Sequence, residues 1–80
     1  MENIEEIKKQ IVVMKSALKN RMGNDKSEEF YGRVLHESKT ELEYFGDKVD
    51  ERDLLKRIFG RLERKNEYLV DLEREKSNSS

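Results

Sequence analysis

The chain has no cysteine, no proline, no tryptophan and only one histidine. Without cysteine there is no disulfide and no thiol nucleophile. With a single histidine, no Cys/His cluster can hold a structural zinc ion. His36-Glu37 also lacks the second histidine that a zinc-protease helix needs, and it reads as part of a solvated face. The four glycines, Gly23, Gly32, Gly46 and Gly60, are too widely spaced to form a phosphate-binding loop. The longest apolar run is Ile11-Val12-Val13-Met14, far short of the ~20 residues that span a bilayer. The first residues, Met1-Glu2-Asn3-Ile4-Glu5-Glu6, are acidic where a secretory signal is basic and then apolar. Together with the missing cysteines, this gives the expectation of a cytoplasmic protein. Asn78-Ser79-Ser80 matches a glycosylation sequon and carries no weight in that setting. A net charge of −1 provides no global field toward nucleic acid or an anionic membrane. No catalytic residue, cofactor or metal is expected.

What the chain does have is a set of apolar stripes at helical spacing. Ile4, Ile7, Ile11, Met14 and Leu18 step by three and four residues, as do Leu55, Ile58 and Leu62, with Leu69 and Leu72 beyond a double step. Alternating steps of three and four place side chains on one face of an α-helix. With 44% charged and 34% hydrophobic residues, the composition matches long-helix and coiled-coil proteins and approaches the disordered range. The periodicity decides for folded helices.

Three helices are expected. The first spans about 3–22, capped by Asn3, with Glu5 and Glu6 at the positive end of the helix dipole and Gly23 as a left-handed stop. Asn24-Asp25-Lys26-Ser27 reads as a turn, with Asp25 and Glu28 at capping-box spacing. The second spans about 26–45, with Phe30, Tyr31, Val34, Leu35, Leu42 and Phe45 on its apolar face and Ser38 in the middle. Gly46 and residues 47–50 form the next stop and turn. The third spans about 50–76 and crosses Gly60, where a break is the alternative. Residues 77–80 read as a disordered tail. Short connections favour antiparallel neighbours, so the expected fold is all-α, a small antiparallel three-helix bundle in a single domain over 1–76. The alternative fuses the second and third helices into a long hairpin that dimerises into a four-helix bundle. A domain of about 80 residues gains only ~3–5 kcal/mol from its core. With neither disulfide nor metal, oligomerisation is the expected supplement, most simply a homodimer.

Charge is blocked along the chain. Residues 8–26 hold six basic side chains against one acidic, residues 27–53 four against nine, and residues 54–65 five against one. The simplest reading is charge matching between neighbouring helices. A sharper one takes Arg57, Arg61, Arg64 and Lys65, with Tyr68 nearby, as a nucleic-acid face on the third helix. The like-charge i,i+4 pairs Arg57–Arg61 and Arg61–Lys65 call for negative charge opposite them. Lys65 also stands where the stripe requires an aliphatic residue between Leu62 and Leu69. A polar residue there can fix register or oligomeric state, or its stem can pack while its amine reaches solvent. Val12 and Val13 lie off the main stripe of the first helix. With Lys65 they form the candidate partner surface.

Two short segments resemble the small all-helical chorismate mutases, which are intertwined dimers of about this length. Ile7-Lys8-Lys9-Gln10-Ile11 is similar to their first-helix pattern, and Val49-Asp50-Glu51-Arg52-Asp53-Leu54-Leu55 to their second charged segment. The resemblance implies a dicarboxylate site formed by Lys8, Lys39, Arg52 and Glu51 or Asp53. The chain departs from the family in having Lys8 where the family has arginine, a poorer exchange for bidentate carboxylate binding. It also stops its first helix at Gly23, and Asp71, Glu73 and Glu75 make no third-helix motif.

The residues thus rank three functions. First is a non-enzymatic helical interaction protein that presents amphipathic faces to itself and to a protein partner, as regulators, assembly chaperones and small phage or plasmid proteins do. Second is nucleic-acid binding through the basic face, and third a small helical enzyme.

Overall fold

The computed structural model describes residues 3–44 and 50–78. It contains three helices, α1 (Ile4–Met22), α2 (Asn24–Tyr44) and α3 (Glu51–Asn78), each packed against the other two. The all-α three-helix bundle is the architecture that the stripes predict.

Local chemistry sets the boundaries. The Asn3 side chain accepts a hydrogen bond from the Glu6 amide at 2.8 Å and caps α1. At the other end Gly23 has φ 91° and ψ 158°. That is an extended, positive-φ conformation reserved for glycine, not the left-handed helical stop. Its amide closes α1 on the Lys19 carbonyl at 2.9 Å, and its carbonyl opens α2 by accepting from the Ser27 amide at 3.1 Å. One residue therefore serves both helices. The expected turn over Asn24-Asp25-Lys26-Ser27 does not form; these residues are the first turn of α2. Instead of a capping box, the Ser27 hydroxyl donates to the Asn24 carbonyl at 3.0 Å.

At the start of α3, Asp50 Oδ1 accepts from the Arg52 amide at 3.2 Å. The expectations for Phe45, Gly46 and the turn to Val49 lie outside the described residues. Helix α3 passes through Gly60 without a break and continues to Asn78, two residues past the expected boundary. Ser79 and Ser80 lie outside the described residues.

Interhelical ion pairs fix the directions. Lys8 of α1 meets Glu51 of α3, and Arg21 meets Asn66 and Glu73, so α1 and α3 run parallel. Glu41 of α2 meets Arg57 of α3, and Glu37 meets Arg61, so α2 runs antiparallel to α3. The fold is up-down-up, and α2 and α3 are not one continuous helix.

The buried core is Ile7, Ile11 and Leu18 of α1, Val34 of α2, and Ile58 and Leu62 of α3. Met14, Met22, Phe30, Tyr31, Leu54, Leu55, Phe59 and Leu69 pack around it. Five of the six core side chains come from α1 and α3. Helix α2 buries small residues, Ser27, Val34 and Ser38, while Leu35 is 38% exposed, contrary to the expectation that it faces inward. Residues 27, 34 and 38 step by seven and four and form a tighter stripe than the aromatic one. The Ser38 hydroxyl is fully buried and has no hydrogen-bond partner among the described residues.

Candidate partner surface

The block pattern of charge resolves into specific pairs. Arg61 of α3 reaches both Glu37, at 2.9 Å, and Glu41, and Arg57 reaches Glu41 at 2.9 Å. This is charge matching between α2 and α3. It relieves the like-charge repulsion between Arg57 and Arg61, although half-exposed pairs are worth only ~0–1 kcal/mol each. The cations of α1 behave differently. Among the described residues none of them pairs with a carboxylate of α2. Lys8 goes to Glu51 at 3.4 Å and Arg21 to Glu73 at 2.6 Å, at opposite ends of α3. Lys15 lies over the Tyr31 ring at 3.9 Å, a contact worth ~0.5–1 kcal/mol near the surface. Burial, aided by Glu28, raises the Tyr31 phenol above its ordinary value.

Of the basic face on α3, Arg57 and Arg61 are thus engaged by carboxylates of the same chain. Arg64 is exposed and borders the same shallow depression as Glu41, Arg57 and Arg61. Lys65 follows neither expectation fully. It is half-buried, and its ammonium lies 5.5 Å from the Phe30 ring of α2 and 5.4 Å from the Tyr68 ring. The polar interruption of the stripe is a cation shared by two aromatic rings, one of them across the α2–α3 seam. Tyr68 is 56% exposed.

Val12 and Val13 are 62% and 65% exposed in the middle of α1. Val12 borders a cleft of about 240 Å³ between α1 and α2, together with Lys15, Lys19 and Tyr31 and with Leu18 and Leu62 behind them. Val13 faces the other way. Gln10, Val13 and Ala17 step by three and four toward the edge where Arg21 reaches α3. On α3 the matching stripe is Phe59, Glu63, Asn66 and Val70, all half-buried. The valines therefore open onto two surfaces, one over each seam of α1.

The residues of the implied dicarboxylate site are partly gathered. Lys8 is held by Glu51 and lies 4.0 Å from Glu5, so the chain's own carboxylates surround it. Lys39 and Asp53 are exposed, and Arg52 keeps a buried Nε without a hydrogen-bond partner among the described residues. Among the described residues there is no group of three or more His, Cys, Asp or Glu able to hold a metal ion, and no helix long and apolar enough to cross a membrane. Comparison with protein-family models, curated proteins and solved structures finds no match.

Two features were missed by sequence reasoning. One is that the hydroxyl of Ser38, placed by the sequence in the middle of the apolar face of α2, is buried with no hydrogen-bond partner among the described residues. The other is the half-buried Phe59–Val70 stripe, visible in retrospect as residues 59, 63, 66 and 70 at helical spacing.

Proposed function

We propose that this chain is a non-enzymatic helical interaction module that works in the cytoplasm, associates with itself, and uses the composite surface so formed in regulation or assembly with a protein partner. The single observation that carries this reading is the pair of adjacent, largely exposed valines at the centre of α1. A lone exposed valine needs no explanation. Two in succession, on a helix whose charged residues from Ile7 to Met22 are all cationic, form an apolar strip with no carboxylate of α1 beside it. Such a strip suits a docking face better than a solvated one.

The small core supports the same reading. The six buried apolar side chains among the described residues form a modest core, and association adds stability by mass action. Nucleic-acid binding has less support, because Glu37 and Glu41 already occupy Arg57 and Arg61. Sedimentation equilibrium at micromolar concentration tests the proposal. Dimers or larger species are expected. A strict 9.6 kDa monomer with a high unfolding midpoint contradicts it.

A further inference from the structure

The face formed by α1 and α2 is unpartnered in the single chain. On α1 it carries Lys8, Val12, Lys15 and Lys19, which step by four, three and four. On α2 it carries Glu28, Gly32, Leu35 and Lys39, with the same steps. The other side of α2, with Phe30, Glu37 and Glu41, is turned to α3. Val12 is 62% and Leu35 38% exposed, and the open cleft of about 240 Å³ lies between the two stripes. A Cβ built at Gly32 meets no heavy atom of the described residues within 4 Å, so packing within the chain does not require a glycine there. A glycine kept in mid-helix without an internal neighbour suits the close approach of something external.

Charge on this face is separated between the helices. Lys15 of α1 lies over its own Tyr31 ring, and Lys19 has no carboxylate partner among the described residues. Asp25 and Glu28 of α2, at the same end of the bundle, have no cationic partner there.

We propose that this face is a two-fold interface in which α1 lies antiparallel on α2 of a second copy, with Val12 over Gly32 and Leu35 and Lys19 between Asp25 and Glu28. The inference rests on the association reading above and names its surface. The geometry follows from the fold. A two-fold axis parallel to the helices, running along the seam, carries α1 across it onto α2 of the copy and leaves its height unchanged. Since α1 and α2 are antiparallel in the chain, each α1 is antiparallel to the α2 that it covers, and every contact occurs twice. The chain itself then sets the register. Lys15 is level with Tyr31, and Met22 faces Asn24 across Gly23. Val12 therefore stands at the height of Val34, between Gly32 and Leu35. Lys19 stands at the height of Ser27, between Asp25 and Glu28.

Charge complementarity selects a second copy as the occupant. The cationic stretch of α1 and the acidic stretch of α2 share one end of the bundle, and the two-fold lays each on the other. A partner of one sign matches one stretch and opposes the other. The two Lys15 come nearest the axis, each over its own Tyr31, with Glu28 of both copies about one turn away. At the far end each helix shows one charge of each sign, Glu5 and Lys8 on α1 and Lys39 and Glu43 on α2. Lys26 and Arg33 fall at helical spacing with Phe30 and Glu37, on the side of α2 turned to α3. Area allows the pairing as well. The face is about 28 Å long and about 20 Å wide. Two such faces cover ~1,100 Å² in all, above the ~1,000 Å² that a specific interface needs.

Three measurements on the full chain test the surface. Gly32→Gln improves the helix propensity of α2 at an exposed position, so the monomer keeps its fold. Its side chain blocks the approach of Val12, and the dimer dissociation constant is expected to rise about tenfold or more, the effect of a loss of ~1.4 kcal/mol. Lys19→Glu and Glu28→Lys are each expected to weaken the dimer, and the double variant to restore it. The chain has no native cysteine. An equimolar mixture of Val12→Cys and Gly32→Cys chains is therefore expected to give covalent dimers of one chain of each kind under mild oxidation, and neither chain alone to do so.

Dimers whose constant ignores Gly32→Gln and the charge exchange, and which do not cross-link, would overturn this interface while leaving self-association in place. A wild-type chain that stays monomeric throughout the micromolar range overturns both.

Discussion

Replacing Ser38 by alanine should stabilise the protein. Serine at a core position of α2 is a local contradiction. Its side chain is 0% exposed, and its hydroxyl finds no hydrogen-bond partner among the described residues. Folding strips water from that hydroxyl and gives nothing back, a cost of ~1–3 kcal/mol. Alanine removes the cost and adds about 0.5 kcal/mol of helix propensity. Against this stands the void left by one oxygen atom. At ~24 cal/mol per Å³, a volume of roughly 15 Å³ costs about 0.4 kcal/mol. The net gain is ~1–3 kcal/mol, a large fraction of what a domain of this size holds. Thermal unfolding followed by circular dichroism, at one fixed protein concentration, is the assay. Since ~1 kcal/mol moves the midpoint of such a domain by ~4–8 °C, a rise of at least about 4 °C is expected. An unchanged or lower midpoint refutes the reasoning. It would mean that the hydroxyl is hydrogen-bonded in solution and contributes to the specificity of the α2 seam.

Three other outcomes follow from the same contacts. Leu62→Ala removes a fully buried side chain at the centre of the core. It should cost ~2–5 kcal/mol and leave much of the chain unfolded at room temperature, read as loss of helical circular dichroism. Gly23→Ala forces a side chain into positive φ where one residue links two helices. The denaturation midpoint should fall by an amount equivalent to ~1–3 kcal/mol, with little change in the denaturant slope. The Tyr31 phenol is raised above its ordinary value by burial first and by Glu28 second. Its contribution to stability is therefore complete below the unfolded phenol value, near pH ~10, and is lost as pH rises through the folded value. Chemical denaturation across that range should show an alkaline decline in the wild type that Tyr31→Phe reduces.

Sequence periodicity carried α1 and α3 almost completely, because both bury wide aliphatic stripes whose spacing admits one answer. Asn3 was legible as a cap because its side chain acts on a neighbouring amide, a local effect. The link between α1 and α2 was not. Composition at Asn24-Asp25-Lys26-Ser27 suggests a turn, but Gly23 alone reverses the chain, and the residues after it fall into helix by packing. The face of α2 was legible at Phe30, Tyr31, Val34 and Ser38, which pack in or against the core, but not at Leu35, which is 38% exposed, nor at Ser27, which reads as a turn residue and is buried. The valines were legible as a surplus, since no monomeric bundle needs them on its outer side. Which seam each valine opens onto depends on the packing of α3, which no local pattern encodes. Lys65 was recognised as an interruption. Its place between Phe30 and Tyr68 required knowing which turn of α2 lies opposite.

The central claim is self-association through the exposed valines of α1. The most direct measurement is sedimentation equilibrium of the wild-type chain and of a Val12→Gln, Val13→Gln variant, side by side at matched micromolar concentrations. The account predicts a wild-type mass approaching twice 9.6 kDa, and a variant that is at least as helical but shifted toward the monomer. Identical masses for the two chains, whether monomeric or dimeric, would contradict it.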